Sequence, residues 1–259
     1  LTAEEDKDYI KPVTLSKIRR SEMARFGGVK VTWFGHSAFG LTSVTGKFLL
    51  IDPWIGNPSA TRNFQNQIER IDLILITHGH GDHIGDTIAL AKKHNPTVLA
   101  IYEVANYLQS KGVKRVVGMN KGGTYVFGGI KATMVDASHS STIIEGGRAI
   151  PGGEAAGFIV EFENGFKVYH MGDTGLFGGL TLIAEFYKPN LVLIPIGGLF
   201  TFGPENAAFA IKILKPDWII PMHYETFPAL TGTPRDFKEA LPPEFKDRVI
   251  VLKPGETAE

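Results

Sequence analysis

The 259-residue sequence contains no cysteine. Disulfides, thiolate ligands and a thiol nucleophile are therefore excluded, and any metal must be held by nitrogen and oxygen. Net charge is missing as well, because 27 Lys and Arg stand against 27 Asp and Glu. A neutral chain exerts no long-range pull on polyanions, which argues against nucleic acid as the main partner. Long apolar runs are absent too. The longest, Leu191 to Phe200, is broken by Pro195 and Gly197-Gly198, whereas a membrane span needs about 20 residues. The first residues, Leu1 to Asp8, are polar and acidic, where an export signal would be basic and then apolar. A soluble, cytoplasmic protein with no membrane partner is expected. No G-x-S-x-G elbow offers a serine nucleophile. The pairs Gly122-Gly123 and Gly128-Gly129 read as turns, outside the strand–G-x-G-x-x-G–helix context of a dinucleotide site. With 43% apolar and 21% charged residues, the composition is that of an ordinary globular protein.

Residues 1–28 are highly charged, lack strand alternation and end in Arg25-Phe26-Gly27-Gly28. They read as an appended arm or short helix, and Met23 offers a natural start within them. The remainder, residues 29–259, is expected to form a single domain. Strand patterns run over Val29–Phe34, Ala38–Val44 and Lys47–Ile51, the last two joined at Thr45-Gly46. The apolar run Ile71–Ile76 suits a strand buried on both faces, followed by a helix over Thr87–His94 that stops before Pro96. Val98–Ile101, a helix over Val104–Ser110 and a strand at Val113–Val117 come next. The second half repeats the rhythm. Strands are expected at Thr124–Phe127, Lys131–Val135, Gly157–Phe162, Phe166–His170, Leu191–Ile196, Trp218–Ile220 and Val249–Leu252. Helices are expected at Leu180–Tyr187, Glu205–Leu214 and Pro234–Ala240. Two β-rich halves, each closing with helices, imply an α/β (α+β) fold built as a four-layer αββα sandwich.

Four ionisable side chains crowd into His78-Gly79-His80-Gly81-Asp82-His83, between a buried strand and a helix. Residues two apart on an extended loop point the same way, so His78 and His80 can grip one cation. Asp82 and His83 face another direction and can serve a second. Gathering three imidazoles and a carboxylate without a cation is unfavourable, so solvated or packed histidines are a poor reading. A two-metal hydrolytic site holds cations about 3.5–4 Å apart and needs more ligands. His139, Asp173 and His223 each follow the end of a later strand, where a site built at one edge of a sandwich would need them.

This pattern resembles the metallo-β-lactamase superfamily, with its H-x-H-x-D-H motif followed by His, Asp and His. Within it the chain is similar to metal-dependent hydrolases related to L-ascorbate-6-phosphate lactonase. The closer match rests on Gly35-His36-Ser37, Asp52-Pro53-Trp54, Thr77 through Asp86, Ser138-His139-Ser140-Ser141, Gly172-Asp173-Thr174-Gly175-Leu176-Phe177 and Pro221-Met222-His223-Tyr224-Glu225-Thr226-Phe227-Pro228. The resemblance implies that His78, His80 and His139 hold one metal and Asp82, His83 and His223 the other, with Asp173 bridging. It also implies that Asp52 orients the metal loop from behind the ligands. The chain departs from the subfamily pattern at Gly178-Gly179 and near Gly197-Gly198, where an acidic residue is the rule.

His36 ends a strand and is expected to touch substrate or hydrogen-bond a ligand, with a structural role as the alternative. Tyr224 either stabilises an oxyanion or packs. His170 reads as a packed strand residue, and Ser138, Ser140 and Ser141 as loop hydrogen-bonders. The expected activity is attack on a small ester, lactone, amide or phosphoester by hydroxide generated on two divalent cations. Asp82 would hold the nucleophile and pass its proton to the leaving group. Zinc suits the donor set best, and manganese, iron or nickel are also admitted. The competing readings are a di-iron oxidoreductase on the same cage and a metal-binding module without turnover.

Overall fold

A computed structural model describes residues 25–60 and 64–259. The first half of the chain supplies β1 (Lys30–Trp33), β2 (Phe39–Thr42), β3 (Phe48–Ile51), β4 (Leu73–Leu75), β5 (Thr97–Ile101) and β6 (Val116–Met119). Between them lie α1 (Gly81–Ile84), α2 (Thr87–His94) and α3 (Tyr102–Ser110). The second half adds β7 (Thr124–Phe127), β8 (Ile130–Asp136), β9 (Ile143–Glu145), β10 (Arg148–Ile150), β11 (Ala156–Glu161) and β12 (Lys167–His170). It continues with α4 (Gly179–Tyr187), β13 (Leu191–Pro195), α5 (Pro204–Leu214) and β14 (Trp218–Met222), and ends with α6 (Pro234–Ala240), α7 (Pro243–Lys246) and β15 (Thr257–Ala258).

One sheet runs β15-β1-β2-β3-β4-β5-β6 and the other β14-β13-β12-β11-β8-β7. Each begins antiparallel and becomes parallel, from β3 to β6 and from β12 to β14. Parallel neighbours cannot be joined by a tight turn and need a crossover. Helices supply it for four of the five parallel pairs: α1 and α2 before β5, α3 before β6, α4 before β13 and α5 before β14. Every residue of β4, β5 and β13 is buried, as strands covered on both faces must be. The ring of Phe39 on β2 lies 5.7 Å from that of His170 on β12, so the two sheets face each other. The helices cover their outer sides, in four layers, αββα. Among the described residues, no helix is long and apolar enough to cross a membrane.

Helix ends follow their local chemistry. Pro204 sits in the first turn of α5, and Lys215 closes it in the left-handed conformation, its N–H on Ile211 O. At the end of α3, Gly112 takes φ 85° and Val113 donates its N–H to Leu108 O. Val113 is thus spent on closing the helix, and β6 starts at Val116 rather than at the expected residue 113. The expected strand Val249–Leu252 is a single bridge, Ile219 to Val249. The chain instead turns at Gly255, whose N–H meets Trp33 O, and β15 adds to β1. The stretch 140–155, where no strand or helix is expected, contains the β9–β10 hairpin, with Gly146 and Gly147 both at positive φ as its two-residue turn requires. Of the arm expected over 1–28, residues 1–24 lie outside the described residues. Phe26 is fully buried against Phe166 and Trp218.

At the end of the sandwich away from the β1–β2 turn, Glu163 Oε1 accepts from Thr45 Oγ1 at 2.6 Å and from Lys47 Nζ at 2.9 Å. Burial would raise its pKa, but the Thr45 and Lys47 hydrogen bonds win and bring it from 4.5 down to about 2. A carboxylate depressed on folding contributes stability above its unfolded pKa and loses it as pH falls through the folded one. Glu163→Gln should therefore destabilise by about 1–2 kcal/mol at pH 7. In urea melts, the gap to the unmutated protein should close as pH drops from about 4.5 toward 2.

Candidate metal centre

Every expected site residue lies at one end of the two sheets. His36 occupies the β1–β2 turn, Asp52 follows β3, and Thr77 to His83 follow β4. His139 follows β8, Asp173 follows β12 and His223 follows β14. Ala156 of β11 donates its N–H to Thr77 O at 3.0 Å, tying the histidine loop of one sheet to the other. His36, Asp52 and His223 take positive φ values of 50°, 46° and 55°. For non-glycine residues each costs roughly 1–3 kcal/mol, a strain that concentrates at functional sites.

Asp52, fully buried, accepts from Thr77 N at 2.8 Å, Thr77 Oγ1 at 2.6 Å and His83 Nδ1 at 2.7 Å. The proton on Nδ1 leaves His83 Nε2 as the nitrogen turned inward. Asp173 Oδ2 sits among four such nitrogens: His223 Nε2 at 3.1 Å, His83 Nε2 at 3.2 Å, His139 Nε2 at 3.6 Å and His78 Nε2 at 3.9 Å. His78 Nε2 also lies 3.0 Å from His80 Nδ1. The donors fall into two groups, His78, His80, His139 and Asp173 in one and His36, Asp82, His83 and His223 in the other. Within each group the ligand atoms lie within 4.8 Å of one another.

The electrostatics fit cations. Burial holds His78, His80 and His139 below the usual histidine range, so their rings are neutral at neutral pH. For Asp173, burial is outweighed by the charges of His223 and His83, and it stays ionised. Asp82 is likewise pulled down against its burial, by the hydrogen bond from His36 and the charge of His83. Burial would lower His83, but Asp173 and Asp52 overcome it and hold a proton there, a charge that a divalent cation would replace. His83 Nε2, His223 Nε2 and Asp173 Oδ1 are buried without a hydrogen-bond partner. Each such atom costs about 1–3 kcal/mol unless something meets it. Nitrogen lone pairs and carboxylate oxygens converging on shared space suit divalent cations.

Two glycines of the histidine loop have different reasons to be there. Neither takes a positive φ, so conformational freedom is not what either supplies. A Cβ on Gly79 would lie 2.5 Å from Ser141 O and 2.8 Å from Ile143, whereas one on Gly81 would meet nothing within 4 Å. Gly79→Ala should cost about 2–3 kcal/mol and Gly81→Ala no more than roughly 0.5 kcal/mol, a contrast that thermal melts will read directly.

Ser141 braces the same contact, its Oγ accepting from Gly79 N at 2.9 Å and donating to Gly152 O at 2.8 Å. His170 is a packed strand residue, donating from Nε2 to Ser37 O and accepting Gly172 N at Nδ1. Tyr224 is buried with its ring stacked on Trp33 at 5.3 Å, in neither donor group. His36 joins the second group directly. Sequence reasoning missed Thr77, whose hydroxyl links Asp52 to His78 at 3.0 Å, and Thr226, the partner of His36 at 2.9 Å. Threonine carries no signature of such a role.

The beta-lactamase superfamily domain matches residues 47–224. A metal-dependent hydrolase of Methanosarcina barkeri is 49% identical over 231 residues, 89% of this chain and 98% of that protein. The chain belongs to the metallo-β-lactamase superfamily. Within that superfamily it falls in the UPF0173 family of metal-dependent hydrolases, to which a Koribacter versatilis relative, 46% identical over 89% of this chain and 97% of its own length, also belongs. Among solved structures, a metallo hydrolase from the hyperthermophilic archaeon Ignicoccus hospitalis is similar, with TM-score 0.80, 37% identity, and coverage of 89% of this chain and 97% of its own. The superfamily match takes in the whole H-x-H-x-D-H loop, His139, Asp173 and His223, but begins after His36.

Proposed function

We propose that the protein hydrolyses a small ester or lactone, with amides and phosphoesters as weaker candidates, using two divalent cations. The observation that carries this is Asp173 Oδ2, 3.1–3.9 Å from four imidazole nitrogens of both donor groups, the position of a bridging carboxylate. His78, His80 and His139 would hold one cation, and Asp82, His83 and His223 the other. Such a pair would supply an acidified water and Lewis-acid polarisation of the acceptor oxygen. Zinc is the favoured metal, and nitrogen–oxygen donor sets also take manganese, iron or nickel.

Asp82 is the catalytic carboxylate. Its side chain is 27% exposed against 3% for Asp173, so it alone of the two faces the substrate space. Oδ2 is held by His36 at 3.0 Å, which leaves Oδ1 to take a proton from the attacking water and return it to the leaving group. The rim is apolar. Leu176, Leu199 and Phe200 are 44%, 76% and 54% exposed, on loops joined beside Asp173 by Phe202 N–H to Thr174 O at 3.1 Å. Among the described residues no Lys or Arg forms an ion pair with a site carboxylate. Both features favour an uncharged acyl substrate over a phosphoester.

Protein purified without added metal, analysed by mass spectrometry for metals, should carry about two divalent ions per chain. Against chromogenic esters, lactones and phosphodiesters, acyl substrates should turn over fastest. Absence of metal would overturn the cation reading, and turnover confined to phosphodiesters would overturn the substrate class.

A further inference from the structure

His36 is fully buried and has two side-chain partners, Asp82 Oδ2 3.0 Å from Nε2 and Thr226 Oγ1 2.9 Å from Nδ1. A carboxylate only accepts, whereas a hydroxyl can donate or accept. The Nε2 proton is therefore directed at Asp82 in either charge state of the ring. A neutral ring accepts the Thr226 O–H at Nδ1. A charged ring donates there, and Thr226 turns its proton to Tyr224 O at 3.3 Å.

Membership of the second donor group would suggest that His36 is itself a ligand. Ring packing says otherwise. Two imidazoles bound to one cation at about 2.1 Å, along directions roughly 90–130° apart, keep their ring centres about 4.5–6 Å apart. His78, His80 and His139 obey this, with centroids 4.6, 5.1 and 5.1 Å apart, and so do His83 and His223 at 5.9 Å. His36 and His223 are only 3.9 Å apart and tilted by 41°. They lie ring against ring, and both cannot point at one cation. The backbone of His36 also reaches the site, because its carbonyl accepts His223 N–H at 3.0 Å and Trp33 Nε1–H at 2.9 Å.

We propose that His36 is a positioning residue, with its ring fixing the carboxylate of Asp82 and its carbonyl fixing the backbone of His223, so that one residue sets two donors of the second cation while ligating neither. Thr226 in turn sets the ring. This rests on the two-cation reading above.

The test is a titration of metal-free protein with Zn²⁺ and with Co²⁺, followed by calorimetry and by the cobalt absorption bands, with folding checked by circular dichroism. His36→Ala should keep the first cation and bind the second about 10–100-fold more weakly, as loss of a ligand's hydrogen-bond partner does. His36→Gln, whose amide can donate to Asp82, should recover most of that loss. Thr226→Val, which leaves His36 in place, should show a smaller weakening of the second cation alone. Equal weakening of both cations, an undisturbed second cation in His36→Ala, or failure of His36→Gln to recover would each overturn the proposal. An unmutated protein that binds fewer than two cations would overturn the two-cation reading and this inference with it. One that binds two, held equally well by His36→Ala, overturns the inference alone.

Discussion

Replacing Asp173 by alanine should lower kcat/KM by at least about 10³-fold, near 4 kcal/mol of transition-state stabilisation, and remove at least one cation per chain. The reason is charge. Two unit charges 4 Å apart repel by about 4 kcal/mol at an effective dielectric of 20, and two divalent ions by roughly four times that. The neighbouring imidazoles are neutral or cationic and cannot offset it. Asp173 Oδ2 lies 3.1 Å from His223 Nε2 and 3.2 Å from His83 Nε2, and 3.6 and 3.9 Å from the nitrogens of His139 and His78. No other carboxylate among the expected ligands reaches both sets. Asp173→Asn keeps the shape and discards the charge, so it should fail nearly as badly. Metal analysis and steady-state kinetics on the same preparations decide the matter. Two cations with full activity in either variant would end the bridging assignment.

The parts of this site that were legible in the sequence are those whose chemistry is local. His78, His80, Asp82 and His83 announce themselves because cation ligands must converge and a short loop can make them do so. His139, Asp173 and His223 could be found because each follows a strand, and strand ends gather at one edge of a sandwich. Buried parallel strands such as Leu73–Leu75 show as unbroken apolar runs, since no face is left for water. What stayed hidden depends on distant partners. His36 meets Thr226 across 190 positions, and nothing near either residue announces the other. The strand expected at Val249–Leu252 failed for a similar reason. Val249 and Leu252 are buried, but the segment meets β14, at the edge of the second sheet, only through Ile219, and only the tertiary fold decides how far a segment pairs along an edge. The β9–β10 hairpin is a different case. Gly146-Gly147 between Ile143–Glu145 and Arg148–Ile150 is a local turn signal, and it was there to be read.

Asp52 never reaches the space the cations share, yet its replacement should be almost as damaging. It is fully buried, and three donors end on its carboxylate: the amide and hydroxyl of Thr77 and the Nδ1–H of His83. Asp52→Asn substitutes one oxygen by an NH₂ group, which must then face a donor or force a neighbour to change. The neighbour able to change is His83. If the Asn amide donates to Nδ1, the ring proton moves to Nε2, the nitrogen 3.2 Å from Asp173 Oδ2, and a proton occupies the position where a cation would bind. Wrong-tautomer effects of this kind are large in other buried Asp–His pairs. The expected result is a stability loss of about 3–5 kcal/mol in urea melts, as for one half of a buried pair removed. A fall in affinity of about 10–100-fold for the second cation should accompany it. The two losses separate by measurement. Excess Zn²⁺ should restore cation occupancy, and because the variant's His83 ring is neutral where the unmutated ring holds a proton that a cation must displace, a pH-indicator titration should detect about one proton fewer released per chain than in the unmutated protein. Binding with unchanged affinity and unchanged proton release in Asp52→Asn would mean that the carboxylate holds the loop but does not govern the histidine.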